Sequence, residues 1–452
     1  MRSRTLWISL VSVLVLLVCA VVGGWVWIHG YLRSDAFRWL VSTKTGAILK
    51  AEAVYGPLQW SGSSIHSDGL TATGLPGSPL QELRADQIRA DVNFRAIFDG
   101  AWQITTAEVI HLEATLRPGQ KAETGQDDVP APASSGLSGI LPKRFELSEL
   151  LIAQTDLTML GANGAPSLVM KQSAVRAEPD GKGWRINGSS GTLDIPKVPQ
   201  LAIGDFQSRV QGGAFFLTDA HLRLGDTGKI SASGEFDKES RLELQWESVD
   251  VSKLLDASWK RRLSGTASGD AKMAWTTGGP AAGTATGKFY LTDGKLENVP
   301  LFEQVAAFTS TPQFRRMPLQ QVSGDYDIRN GKILITNFVG ESKGLTRVEG
   351  ECQIKPDGSL AGTFQVGVTP QTLQWLPGSR EKVFTMARDG YLWTPVRVNG
   401  TMANLHEDLS SRLAAAMGEE LIDRGENAIK NAPDTMKQGV DGVLQLLNPL
   451  LK

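Results

Sequence analysis

Five histidines, His29, His66, His111, His221 and His406, are the only imidazoles in a chain of 452 residues. None belongs to an HExxH helix or to any paired spacing that would hold a metal. Asp325 and Asp327 flank Tyr326 and so share one face of a strand. Paired carboxylates can exchange protons with a substrate, but acids on a strand face are ordinarily solvated. Gly188-Ser189-Ser190-Gly191 resembles a nucleophile elbow only loosely and reads as a turn. No P-loop is present, and no GxGxxG opens a helix. Asn187-Gly188-Ser189 and Asn399-Gly400-Thr401 fit the glycosylation pattern, although Asn-Gly turns explain both. The sequence therefore predicts no catalytic residue, no metal and no cofactor, and the chain reads as a protein that is not an enzyme.

Two cysteines, Cys19 and Cys352, lie far apart, the first inside an apolar run, so no disulfide framework is expected. A net charge of −2 gives no field that would favour nucleic acid.

Chemistry being sparse, the elements carry the reading. Residues 6–28 hold no charged side chain. As a helix they would run about 34 Å, enough to cross a hydrocarbon core of about 30 Å. Trp25, Trp27 and Tyr31 stand where an interfacial aromatic belt belongs. A cleaved signal peptide with Arg2 and Arg4 as its basic region is the alternative. A run of that length continuing through Trp25–Ile28 favours an uncleaved anchor, with a short cytoplasmic N-terminus. A short helix follows over residues 34–48, capped by Ser34 or Asp35, with Phe37, Leu40 and Val41 on one face and Trp39 beside them.

Beyond it the period changes to two. Ile88, Ala90, Val92 and Phe94 alternate with polar residues, as do Ile110, Leu112, Ala114 and Leu116. The pattern is clearest at Ile230–Phe236, Leu242–Trp246, Val348–Ile354 and Leu360–Val368. Asp293-Gly294, Asn330-Gly331 and Pro356-Asp357-Gly358 read as hairpin turns between antiparallel strands. Trp60, Trp184, Trp246, Trp275 and Trp393 read as apolar-face residues. The stretch 118–139 is rich in Pro, Gly, Ser and Ala and reads as a linker or long loop. A short helix is expected over 301–308. From Asn404, Leu405, Leu409, Leu413, Met417 and Leu421 recur at helical spacing. Residues 405–452 carry eight acids against five bases, which disfavours an anionic lipid surface. That helix either packs over the open end of the sheet or receives a partner.

Each strand has one apolar and one polar face, so the apolar side needs a cover: a second sheet, helices, or a bound apolar ligand. A sheet of many strands curls. Curled with its apolar face inward it makes a groove, and each methylene buried there contributes about 0.8 kcal/mol. Two sheets closing as a sandwich satisfy the same alternation.

The segment 287–301, GKFYLTDGKLENVPL, is followed by 322–331, VSGDYDIRNG, then Val348-Glu349-Gly350 and 394–401, TPVRVNGT. This order resembles the C-terminal region of AsmA-like proteins. Gln59-Trp60-Ser61-Gly62 after the anchor, and the strand ending near Asn93-Phe94, agree. The resemblance covers most of residues 1–404. With the C-terminal amphipathic helix read from the spacing, it implies a mainly β fold: an N-terminal transmembrane helix, then a long curved antiparallel sheet forming an apolar groove, with short helices. It implies an anchor over 1–30, an AsmA-like helix and β segment over 31–117, a loop over 118–142 and a β-groove region over 143–403, to which the helical spacing adds an amphipathic tail over 404–452. It further implies a single-pass protein of a bacterial inner membrane, mostly periplasmic, that binds phospholipids and assists their transport to the outer membrane. The C-terminal helix would meet an outer-membrane or envelope protein. The residues expected to contact lipid are Phe289, Leu291, Val348, Ile354, Phe364 and Val366. The alternative is a closed scaffold, structural or regulatory, for outer-membrane protein assembly.

Overall fold

Strand alternation becomes strand structure through most of the chain, and the fold is mainly β. The computed structural model describes residues 34–93, 101–118, 144–255, 257, 259–276, 282–298, 312–374, 378–401, 404–416 and 418. The apolar run 6–28, most of the 118–139 interval, the helix expected over 301–308 and the tail beyond 418 lie outside the described residues. No described helix is long and apolar enough to cross a membrane. The chain divides into two compact units, Met1–Leu224 and Gly225–Lys452.

The first unit opens with helix α1, Asp35–Leu49. The Ser34 hydroxyl accepts a hydrogen bond from the Phe37 amide at 3.3 Å, and Lys50 ends the helix in left-handed conformation. Phe37 is buried against Trp60 and Val92. Twelve strands follow: β1 Ala51–Tyr55, β2 Leu58–Ser61, β3 Ser64–Gly74, β4 Leu80–Asn93, β5 Ala101–Leu116, β6 Arg144–Leu147, β7 Leu150–Leu160, β8 Pro166–Asp180, β9 Gly183–Ser189, β10 Thr192–Asp194, β11 Leu201–Gln211 and β12 Ala214–Leu224. β1 and β2 share one edge of β3, and β4 and β5 follow antiparallel. β5 then pairs in parallel with β6 and β7, setting Ala107 opposite Leu150. This is the one parallel junction among the described strands, and it falls where the long interval separates β5 from β6. A parallel return needs a connection of that order. The strands flanking the interval are thus hydrogen-bonded neighbours. Antiparallel pairing resumes from β7 to β12.

The second unit holds β13 Gly228–Phe236, β14 Ser240–Asp250, β15 Leu263–Trp275, β16 Thr284–Glu297, β17 Arg316–Leu319, β18 Gln321–Arg329, β19 Lys332–Ser342, β20 Thr346–Ile354, β21 Ser359–Val368, β22 Met386–Arg388, β23 Tyr391–Thr401 and β24 Asn404–Glu407. Every strand pairing among the described residues here is antiparallel. Short helices α2 Pro370–Leu373 and α3 Ser379–Lys382 precede β22, and a helix α4 over residues 409–416 follows β24. Asn330 and Gly331 both take positive φ and join β18 to β19, as a two-residue hairpin requires. Asp357 turns β20 into β21, its carboxylate accepting from the Ser359 amide at 2.8 Å.

Several expectations need correction. Asp293-Gly294 is no hairpin turn, since both residues lie within β16. Thr266 pairs with Thr292 and Ser264 with Lys295, so two residues of β16 face the single Gly265 and make a bulge. Asn187-Gly188 and Asn399-Gly400 likewise lie inside β9 and β23. Ile110 is half exposed while its neighbour Val109 is buried. The facing Gln87 has φ 55°, and this local twist breaks the alternation assigned to β5. Trp393 pairs with Gly367 and lies on the face opposite to Leu392 and Val396. Residues 404–407 form a strand along β23, and the helix expected from Asn404 starts only at 409, where Glu407 accepts from the Leu409 amide.

Candidate functional site: the apolar face of the second unit

Directly paired residues of an antiparallel sheet point to the same side, so the pairing register reads out each face. One row across the second unit runs Ala232, Leu244, Ala271, Gly287, Tyr326, Ile335, Cys352, Gly362, Val398. The next row runs Gly234, Leu242, Met273, Ala285, Ile328, Ile333, Ile354, Leu360, Gly400. Both cross nine strands without a charged residue. At a spacing of about 4.8 Å, nine strands extend roughly 40 Å. The adjoining row on the other face runs Ser233, Glu243, Lys272, Thr286, Asp327, Leu334, Gln353, Ala361, Asn399 and is mostly polar.

All six residues expected to contact lipid fall on the apolar side. Phe289 and Leu291 face Gly324 and Val322, Val348 pairs with Val366, Ile354 joins Ile333 to Leu360, and Phe364 lies between Gly350 and Val396. Leu291 is buried, and the other five are half-buried. Leu244, Ile335, Cys352 and Ile328 are half-buried too. Alternation alone named the strands, but the pairing register was needed to show that Ile335 and Tyr326 share one row with Cys352.

The face is low in relief. The Phe289 ring lies over Gly324, the Trp246 ring over Gly269 and the Phe364 ring beside Gly350, each so close that a methyl group on the glycine would come within 3.0 Å of the ring. Such aromatic–glycine pairs let a ring lie flat along the neighbouring strand. Tyr326 does the same over Gly287 and donates to the Asp270 carbonyl at 2.7 Å. Burial first, then the nearby Asp270 charge, pushes its phenol up to about 12. Burial also raises the Cys352 thiol.

One end of the strands is closed. Val368, Leu373, Val383, Phe384, Leu392 and Ala416 form a buried cluster with Val366, Leu409 and Leu413, built by α2, α3 and α4 against β21 and β23. A second cluster of Phe314, Met317 and Leu345 packs on Leu296. The first unit has cores of its own: Leu70, Ala85, Val109 and Ile152 form one, and Ala51, Ala72 and Leu80 another, with an open cavity of about 430 Å³ beside Val109, Ile152 and Val175.

The polar groups singled out in the sequence do not converge. Asp325 accepts from Asn337 at 2.7 Å, while Asp327 is held bidentate by Arg329 at 2.9 and 2.7 Å. His111 lies between Asp86 and Asp156, at 3.7 and 3.3 Å, one carboxylate at each ring nitrogen. His221 sits likewise between Asp205 and Asp219, at 2.9 and 3.5 Å. The carboxylates reach His111 from the strands on either side, and His221 from β11 and from β12 itself; lying on opposite sides of each ring, they leave no shared point for an ion. Among the described residues no group of three or more His, Cys, Asp or Glu could hold a metal. Ser190 and Gly191, both with positive φ, form the turn after β9. On the other side of the second unit, Glu341 is buried and accepts from the Tyr391 hydroxyl at 2.9 Å and from Arg347 at 3.2 Å. Arg347 also binds Glu349 at 2.7 Å. Arg388 pairs with Glu349 and stacks over Trp393, 4.3 Å from the ring centre.

No protein-family model matches the chain, and no curated protein and no solved structure matches it either. The functional reading therefore rests on the face itself.

Proposed function

We propose that this chain is a lipid-binding protein of the AsmA-like type, anchored in a bacterial inner membrane by residues 6–28, with most of its length in the periplasm. It assists phospholipid transport to the outer membrane and so supports envelope integrity. Acyl chains would lie on the apolar face of the second unit and move along it passively, with direction set elsewhere. The observation that carries this reading is the uncharged double row across nine strands, whose large side chains stay half-buried. Apolar area left at a surface favours an apolar ligand by about 25 cal/mol per Å² covered.

The test is purification of the full chain from bacterial membranes and identification of co-purifying lipids by mass spectrometry, against a membrane protein of similar size. Phospholipid at one or more molecules per chain is expected. Ile335→Asp and Ile354→Asp should remove it while the β spectrum and melting midpoint stay near those of the parent. Lipid-free parent protein, or unfolding of both variants, would overturn the reading. The latter result would favour a closed scaffold for outer-membrane protein assembly, a reading supported by the buried core of Leu70, Ala85, Val109 and Ile152 in the first unit.

A further inference from the structure

β23 is the last long strand of the second unit, and its outer edge is occupied from end to end. Met386–Arg388 pairs with Tyr391–Trp393, and Asn404–Glu407 pairs with Val398–Thr401. Between these two short strands lie Thr394 to Arg397, where no strand pairs. Along a strand, main-chain groups point alternately to the two edges, and the outward groups here are those of Pro395 and Arg397. Pro395 has no N–H, and its carbonyl accepts from the Arg412 guanidinium. The Arg397 amide donates to the Asp408 carboxylate at 3.0 Å, and the Asp408 amide donates back to the Arg397 carbonyl at 3.3 Å. Asp408 thereby imitates a strand residue, and Arg412 completes the cover with a further bond to the Thr394 hydroxyl at 3.0 Å.

We propose that residues 404–416 are an autoinhibitory end cap, and that the β23 edge beneath them is an interface for the same strand of a second copy of this chain. An unpaired edge is a template for another strand, and proteins blunt such edges with charges, prolines and short strands. All three devices meet here. The polar contacts of the cap are weak, because Asp408 and Arg412 are 44% and 35% exposed and solvent screens them, so its remaining hold is the packing of Leu409, Leu413 and Ala416 in the apolar cluster. The second copy fits by its sequence. Antiparallel self-pairing centred on Val398 sets Val396 opposite Gly400 and Arg397 opposite Asn399, so no like charges oppose. It uses the N–H of Arg397 that Asp408 now holds. A two-fold axis perpendicular to the sheet leaves both apolar faces on the same side. Release of the cap would thus join two faces into one, a consequence that rests on the lipid-binding reading, whereas the association itself does not.

The test is the mass of the full chain by analytical ultracentrifugation over a hundredfold range of concentration, for the parent and for Asp408→Ala/Arg412→Ala. The double variant should reach twice the chain mass at a concentration at least about tenfold lower than the parent. Adding Arg397→Pro, which removes the outward N–H, should restore the parent's behaviour. Equal masses for parent and double variant, or association that survives Arg397→Pro, would overturn the proposal. Should the double variant lose its β spectrum, Arg412→Ala alone carries the test with the same two outcomes. Lipid content, measured separately on the same samples, reports on the other reading.

Discussion

The ring of Phe289 lies across Gly324, its direct partner on β18, and a methyl group added at Gly324 would come within 2.8 Å of that ring. Gly324→Ala should therefore lift the ring off the sheet. Overpacking of this kind costs about 1–3 kcal/mol, more than the loss of glycine flexibility returns. A lower urea midpoint at unchanged slope is the expected result. An unchanged midpoint would mean that the ring moves freely.

Glu341 is buried, and its carboxylate depends on Tyr391 and Arg347. Tyr391→Phe removes one donor and should cost about 1–3 kcal/mol. Arg347→Met removes the cation that lies 3.2 Å from the Glu341 carboxylate and should cost more, toward about 3–5 kcal/mol. Urea unfolding of the two variants gives the order; the reverse order would show that the hydroxyl, rather than the charge, holds Glu341.

Acid should loosen the same region. Burial raises the Glu349 carboxyl, but hydrogen bonds and charge from Arg347 and Arg388 outweigh it and hold the group below the usual carboxylate range. A lowered carboxyl contributes stability above its unfolded value, near 4.5, that is lost as pH falls through the folded value. Glu349→Gln should flatten the fall in unfolding midpoint below about pH 5.

His221 predicts the opposite sign. Its hydrogen bond to Asp205, then the charges of Asp219 and Asp205, raise the imidazole above 6.5. The stabilisation is complete below that unfolded value and fades as pH rises through the folded one. The His221 and Asp205 side chains are both more than half exposed, so solvent screens the pair and the effect is small. His221→Gln should remove a slight loss of stability on going from pH 6 to pH 8, measured as the thermal midpoint at fixed ionic strength.

Cys352 offers a probe of the central row. Its thiol, raised by burial, should react with a maleimide more slowly than free cysteine at pH 8 in a Cys19→Ser background. Added phospholipid should slow it further under the proposed function. Reaction at the free-cysteine rate would place the thiol in open water.

Strand after strand was legible in the sequence because a half-buried sheet forces alternation, as at Val348–Ile354. What pairs with what was not. The parallel contact of β5 with β7 crosses an interval whose composition says nothing about direction. Asp293-Gly294 misled because the same dipeptide serves a hairpin and a bulge, and only the residue opposite, Gly265, distinguishes them. Asn404 is a residue type that caps helices, yet the edge of β23 offers unpaired groups, and pairing takes Asn404–Glu407 into a strand. The face was foreseeable as a set of apolar residues; its continuity depends on bulges such as that between Ile335 and Phe338, which leave no mark in composition.

The uncharged rows have an evolutionary consequence. Each strand contributes one residue to each row, so no single position defines the surface, but every hairpin must keep phase with its neighbours. Losing one residue from the middle of β18 or β20 would turn Asp327 or Glu351 toward the apolar side and send an isoleucine to water. Length variation in this chain should therefore come in pairs of residues or be confined to turns, while apolar substitutions drift freely. Comparison of gap lengths within strands across relatives would reveal this parity.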